Sequence, residues 1–387
     1  MRVLHTSDWH LGRKFLAQDM HEHQEAFIDW LVATVAEYTV DLLVIAGDIF
    51  DRSVPPQESV ALFERALTEL SAVCPVFLIP GNHDSAVRLG YGGSFFASHG
   101  VHIQSSVESL DTPVLIEGAD GVNVAVYGIP YLHPDIHAVP LGVERSHTAV
   151  LTSAMNRIRT DISKREPART LVVSHAFVTG GSGSESERDL EIGGIGDSPA
   201  RVFAGVDYTA MGHLHGPQVI ASDSGLIRYS GSPLAYSFSE EKHIKSVTVV
   251  NIGLEGEVTT ETIPVPQPAS LVTLTGSMDY LENDPALDVH LDAWIRARIT
   301  DRRRPENAMK RLSQRFSQVM HLEFVPERDS NSDADALSTQ RLDPQKSPPL
   351  DVASAFIAYV TADHISESER ELVQNAIETV NAAVTTP

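Results

Sequence analysis

The feature that most constrains this chain is a recurrence: five short, mostly apolar runs, each followed at once by a side chain able to bind a metal. Val3–Thr6 leads into Asp8-Trp9-His10, Leu42–Ala46 into Gly47-Asp48-Ile49-Phe50-Asp51-Arg52, and Val76–Ile79 into Pro80-Gly81-Asn82-His83-Asp84. Thr170–Val173 leads into Ser174-His175, and Tyr208–Met211 into Gly212-His213-Leu214-His215. Runs of this length read as buried strands, joined by Asn123–Tyr127, Leu226–Tyr229 and Ser246–Ile252. Between the first two, Glu22–Tyr38 carries Ala26, Ile28, Leu31 and Val35 at helical spacing. Gln57–Ala72 does the same with Val60, Leu62, Phe63, Ala66, Leu67 and Leu70. Alternating strands and helices predict an α/β fold, in which the loops at strand C-termini converge on one edge and build the site there.

The polar residues at those five ends form a coherent donor set. Carboxylate, amide oxygen and imidazole, with no thiolate, suit Mn²⁺, Fe²⁺ or Zn²⁺. A carboxylate such as Asp48 can bridge two cations held ~3.5–4 Å apart, which together activate a water and neutralise a phosphoryl oxygen. Gly47, Gly81 and Gly212 stand just before donors, where a strand must turn sharply and the backbone approaches closely. A lone Gly-His-x-His or Asp-x-His would say little, whereas five such elements in order are hard to assign to structural polar residues alone. His5, inside the first strand, is expected to satisfy a core hydrogen bond. Trp9 is expected to pack beneath the site, Cys74 to be buried and inert, and histidines such as His133 and His147 to be surface or structural.

Taken in order, Asp-x-His, Gly-Asp-x-x-Asp, Gly-Asn-His-Asp, Ser-His and Gly-His-x-His resemble the calcineurin-like metallophosphoesterases. The fuller strings Leu4-His5-Thr6-Ser7-Asp8-Trp9-His10-Leu11-Gly12, Ala46-Gly47-Asp48-Ile49-Phe50-Asp51, Gly81-Asn82-His83-Asp84-Ser85 and Arg228-Tyr229-Ser230-Gly231-Ser232-Pro233 are similar to the SbcD-type nuclease subunits within them. The likeness is much weaker after residue 268. It implies a β-sandwich flanked by helices, with Asp8, His10, Asp48 and His215 holding one metal and Asp48, Asn82, His175 and His213 the second. His83 would face the scissile phosphate, oriented by Asp51 or, as a rival, Asp84, and Arg52 would contact phosphate or be a plain surface arginine. The implied cofactors are two divalent ions, Mn²⁺ foremost. The implied activity is ATP-dependent 3′–5′ double-strand exonuclease and single-strand or hairpin endonuclease cleavage, in DNA recombination, replication and repair. The implied partners are DNA, an SbcC-type ATPase and a second copy of the chain within a heterotetramer.

Composition bears on the substrate. A net charge of −23 argues against a nucleic-acid partner taken alone. The charge is uneven, however: Arg296, Arg298, Arg302, Arg303, Arg304, Lys310, Arg311 and Arg315 stand against only Asp301 and Glu306 between Trp294 and Phe316. That stretch is a solvated face or a nucleic-acid contact. From Glu327 onward eleven acids face four bases. With a single cysteine, no long apolar run and no signal-like N-terminus, a cytoplasmic protein without membrane contact is expected.

The prolines of Ile263–Pro268 divide the chain into a nuclease domain over residues 1–265 and a small α+β capping domain over residues 266–328. In the latter, Leu271–Thr275 and Val319–Val325 read as strands, Leu287–Ile299 as mixed and Asn307–Gln318 as a helix. Gly180–Gly196 reads as a mobile surface loop, and residues 329–349 as a linker. Over residues 350–387, two amphipathic helices carry an apolar stripe of Val352, Phe356, Ile357, Val360, Leu372, Val373, Ile377 and Val380, which the resemblance implies docks on the ATPase, the alternative being helices folded back on the nuclease domain. Three functions compete: a DNA nuclease subunit, a phosphatase or phosphodiesterase on a non-DNA substrate, and a scaffold that has lost its metals. The full ligand set opposes the scaffold, and the chain beyond residue 265 favours the nuclease.

Overall fold

Leu42–Ala46 is buried on both faces, and its alternation shows against what: Leu42, Val44 and Ala46 join one core, Leu43 and Ile45 another. Arg169–His175 repeats the pattern, with Leu171 and Val173 in the shared core and Val172 on the far side. Period-two burial of this kind places two sheets face to face. The computed structural model describes residues 1–165, 168–187, 197–223, 225–326, 347–361 and 365–384. It divides into two compact units, Met1–Pro268 and Ala269–Pro387.

In the first unit, one six-stranded sheet runs in the order Val258–Pro264, Ser246–Ile252, Arg2–Thr6, Leu42–Ala46, Val76–Ile79, Val101–Ile103. The other, also six-stranded, runs Gln218–Ile220, Leu226–Tyr229, Tyr208–Gly212, Arg169–His175, Asn123–Ile129, Val114–Glu117. The middle strands of both are parallel, so their C-terminal ends line up: Ala46 pairs with Ile79, and Gly212 with His175. Helices His21–Glu37 and Gln57–Ser71 cover the outer face of the first sheet through Phe27, Ile28, Leu31, Leu62, Phe63 and Ala66. Pro134–Leu141 and His147–Ile162 cover the second through Ala138, Val150, Leu151, Ala154, Met155 and Ile158. Neither helix is among the elements expected from the sequence, although the buried residues of His147–Ile162 stand three and four apart. The fold is therefore the expected α/β sandwich flanked by helices. No helix among the described residues is long and apolar enough to cross a membrane.

The second unit has its own core of Leu274, Met278, Leu281, Ile295, Ile299, Leu312 and Phe316. Its three strands, Leu271–Gly276, Trp294–Ile299 and Gln318–Phe324, are parallel. The helix expected over Asn307–Gln318 spans only Ala308–Leu312, because Phe316 turns into the core and Gln318 already begins a strand. Leu287–Ile299 resolves into the end of a short 3₁₀ turn, Pro285–His290, and the strand Trp294–Ile299. Much of the basic stretch is engaged within the unit: Arg311 with Glu282, Arg315 with Asp288 at 2.7 Å and Arg298 with Glu323 at 3.0 Å. Arg304 lies over the Phe324 ring at 4.3 Å. Pro349–Thr361 and Glu367–Val384 are helices packed on each other, with Phe356, Leu372 and Val380 exposed. Most of the expected linker, and the Val360 side chain, lie outside the described residues.

Candidate metal centre

The strand-end loops are tied together before any ligand is considered. The Asp8 N–H donates to the Gly47 carbonyl and the His10 N–H to the Asp48 carbonyl, both at 3.0 Å. The His213 N–H donates to the Asp8 carboxylate at 3.0 Å, which joins the second sheet to the first. Close approach explains the glycines: a Cβ on Gly81 would lie 2.1 Å from Asp48 Oδ1, and one on Gly212 would lie 1.9 Å from the Ala46 carbonyl oxygen. Seven non-glycine residues among those described have positive φ, and four of them are Asp8 (54°), His10 (47°), Asp48 (50°) and His213 (108°). Such backbone costs about 1–3 kcal/mol per residue and clusters at functional sites.

The side chains converge in a buried pocket. Asp8, His10 and His215 form one group of potential ligands and Asp8, Asp48 and His175 another, while His83 stands with His10 and Asp48. The Asn82 amide oxygen lies 2.9 Å from His175 Nε2 and 3.3 Å from His213 Nδ1. His175 donates its Nδ1–H to the Ala46 carbonyl at 2.9 Å, so in the neutral ring the Nε2 lone pair faces the lone pairs of Asn82. Likewise His10 Nε2 and His215 Nε2 lie 3.0 Å apart, and the buried Nδ1 of His10 has no hydrogen-bond partner among the described residues. Acceptors aimed at acceptors are stable only around a proton or a cation, so these residues fit divalent metal ions.

The electrostatics agree. Burial, reinforced by Asp48 and opposed by His175, pushes the Asp8 carboxyl up to about 8. Burial would lower His175, but the neighbouring Asp48 charge outweighs it and carries the imidazolium up to about 9. Burial alone would raise Asp48 too, yet His175, His10 and His83 hold it well below the usual carboxylate range. His10, His213 and His215 are pushed down by burial first, which leaves neutral imidazoles of the kind that bind metals.

The structure shows where the two carboxylates expected to orient His83 sit. His83 Nδ1–H donates at 2.7 Å to the main-chain carbonyl of Asp51. The Asp51 carboxylate instead lies 3.7 Å from Arg13 and 3.9 Å from His10 Nδ1. The Asp84 carboxylate accepts the N–H groups of Gly81, Ile49 and Phe50 and so splices two strand-end loops. Burial first and Asp48 second push its carboxyl up to about 6. With Nδ1 occupied, His83 leaves Nε2 facing the cluster, 3.9 Å from Asp48. Arg52 is exposed beside these residues. His5 is bonded to the Tyr208 hydroxyl and the Met211 carbonyl in the core, and Trp9 packs on Phe27 and Phe63 beneath the loops. Cys74 is buried and its thiol pushed up to about 11 by that burial.

Sequence reasoning missed the groups that hold His215. Its Nδ1 contacts Ser186 Oγ at 2.6 Å, and Ser186 in turn donates to Glu240. Lys245, buried with Glu240, binds that carboxylate and donates at 2.9 Å to both the His215 carbonyl and Ser232 Oγ. Glu187 accepts the His215 N–H at 2.6 Å. Residues 180–187 of the segment read as a mobile surface loop thus include a buried contact to a donor, and residues 188–196 lie outside the described residues.

The profile of the calcineurin-like phosphoesterase family matches residues 1–217, the span that holds all seven donors. Among solved structures, the chain is similar to TT1561 of Thermus thermophilus, at 11% identity and a TM-score of 0.39 over 67% of this chain and 98% of that one. A Staphylococcus aureus protein described as a 5′-nucleotidase, crystallised with alpha-ketoglutarate, matches at 12% identity and a TM-score of 0.38, covering 68% of this chain and 54% of that one. GAP50, the anchor in the inner membrane complex of Plasmodium, matches at 14% and 0.40, covering 84% of this chain and 98% of that one. With the family profile covering more than half of the 387 residues, the chain belongs to the calcineurin-like phosphoesterases, metal-dependent enzymes of phosphoester hydrolysis.

Proposed function

We propose that the chain is an SbcD-type nuclease subunit, a two-metal phosphodiesterase that cleaves DNA in concert with an SbcC-type ATPase. The observation that carries the hydrolytic reading is the meeting of Asp8, His10, Asp48, Asn82, His175, His213 and His215 at one edge of the sandwich, with His83 against His10. Asp8, His10, Asp48 and His215 would hold one ion and Asp48, Asn82, His175 and His213 the other, with Mn²⁺ the expected metal. Bound divalent ions supply activation of water and neutralisation of phosphoryl oxygens. His83, its Nδ1–H fixed on the Asp51 carbonyl, turns Nε2 towards the cluster, 3.9 Å from Asp48, from where it would protonate the leaving oxygen or donate to a phosphoryl oxygen. Asp84 and Gly81 keep the Asn82–His83 loop in register with Asp48.

The DNA reading is supported by the fuller sequence strings around the site and by the second unit with its helix pair. The exposed Phe356, Leu372 and Val380 are suited to anchoring in a groove of the ATPase. The internal pairing of Arg298, Arg311 and Arg315, with the net charge of −23, implies weak DNA binding by this subunit alone and a steep gain with the partner.

The test is cleavage of a labelled DNA hairpin by the purified chain in Mn²⁺, with and without the ATPase and ATP, beside His83→Ala. Cutting that requires Mn²⁺, grows with the partner and vanishes in the variant is expected. Intact DNA together with hydrolysis of bis-p-nitrophenyl phosphate would move the function to a non-DNA phosphoester.

A further inference from the structure

We propose that Tyr131, flanked by His133 and His147, forms a subsite for the nucleoside attached to the scissile phosphate; the proposal rests on the phosphodiesterase reading above. Asn123–Ile129 is a further parallel strand that ends at the donor edge, since Ile129 pairs with Ser174, the neighbour of His175. Its following loop supplies no metal donor. It supplies Tyr131, whose N–H donates at 3.0 Å to the Pro80 carbonyl and so anchors the ring beside the loop bearing Asn82 and His83. The Tyr131 ring stands edge-on to the His175 imidazole, with centroids 6.4 Å apart and planes at 88°.

Around the same ring lie His147 at 6.1 Å and His133 at 6.2 Å, themselves 6.5 Å apart. His133 accepts the Asp135 N–H on Nδ1, so its neutral ring carries the proton on Nε2, a donor at the rim. Tyr131 and His133 are both partly exposed.

Placement gives the cluster its role. The His83 ring lies 4.6 Å from that of His10, which groups with Asp8 and His215. Tyr131 lies against His175, of the other group. A phosphodiester held between them sends its leaving oxygen towards His83 and its remaining ester arm towards Tyr131. An aromatic ring beside an imidazole donor suits a flat, heteroatom-bearing base and its sugar better than an alkyl chain, because every base offers a π-face for stacking.

Two esters with one leaving group test this: thymidine 5′-(p-nitrophenyl phosphate) and methyl p-nitrophenyl phosphate, each hydrolysed in Mn²⁺. Equilibrium binding of thymidine 5′-phosphate is measured against inorganic phosphate on the same proteins. Tyr131→Ala is expected to raise KM for the thymidine ester roughly tenfold, the scale of losing one base–aromatic contact, while kcat/KM for the methyl ester stays within about twofold. The preference for thymidine 5′-phosphate over phosphate falls by a similar factor, and Tyr131→Phe, which keeps the ring, retains it. Equal losses on both esters would make Tyr131 a mere support for His175, and unchanged selectivity in Tyr131→Ala would equally overturn the subsite. A parent protein that hydrolyses neither ester contradicts the phosphodiesterase reading instead. The binding comparison still decides the subsite in that case.

Discussion

Glu240→Gln isolates what the buried network behind His215 contributes. Glu240 and Lys245 are both essentially inaccessible, and among the described residues the other hydrogen bonds of the Lys245 ammonium go to neutral acceptors, Ser232 Oγ and the His215 carbonyl. Burial alone would push the Glu240 carboxyl up; the Lys245 charge and the contact with His215 outweigh it and hold the group below the usual range. The amide is nearly the same shape but carries no charge, so it strands a buried ammonium, at a cost of about 3–5 kcal/mol. At roughly 2–4 °C per kcal/mol for a unit of this size, melting should fall by on the order of 10 °C, read by calorimetry in chelator. The same change weakens the acceptor that positions Ser186 on His215, so Mn²⁺ affinity should fall about 10–100-fold by titration. Replacing both partners, Glu240→Met with Lys245→Met, removes the stranded charge and should recover most of the melting temperature but not the metal affinity. Glu240→Gln melting within about 2 °C of the parent, or a double variant no more stable than the single, would refute the reasoning.

Two further outcomes follow from the site. Asp8 and His175 titrate near 8 and 9 in the metal-free fold, above their ordinary 3.8 and 6.5, and both must lose a proton to bind a cation. Mn²⁺ affinity should therefore climb with pH, approaching two protons released per binding event below about 8, and level off above about 9; metal-free stability should fall as pH rises through the same window, and calorimetry in buffers of different ionisation heat measures both. Asp51→Asn keeps the main-chain carbonyl that holds His83, so kcat should stay within about tenfold of the parent, against the 10²–10⁴-fold scale of losing an acid–base group in His83→Ala; a loss as deep as that of His83→Ala would return the orienting role to the carboxylate.

The sandwich and the seven converging donors were legible because both depend on local order: a strand, a turn, a polar residue. The functions of Asp51 and Asp84 were not. Sequence shows that a carboxylate is near His83 but not whether its carboxylate or its carbonyl meets the ring. Ser186 sits in a Gly- and Ser-rich stretch that reads as solvent-exposed, and only the tertiary position of His215 buries it. Glu240 and Lys245, five residues apart, look like two more charges in a polar segment until the fold removes both from water. The internal pairing of the basic stretch was hidden for a related reason. Its counter-charges, Glu282, Asp288 and Glu323, lie outside the run itself. By contrast, the missed helix His147–Ile162 had its buried spacing on display.

The division of the donors between two sheets also sets when the centre can exist. Asp8, His10, Asp48 and Asn82 follow strands of the first sheet, and His175, His213 and His215 follow strands of the second. The bond from His213 to Asp8 spans 205 positions. The first sheet is not complete until Ser246–Ile252 returns to pair with Arg2–Thr6. A nascent chain emerging from the ribosome therefore holds only the first-sheet half of the cluster once Asn82 is made, until His175, His213 and His215 follow. Hydrolytic competence arrives late, once the return strand has closed the sheet behind it.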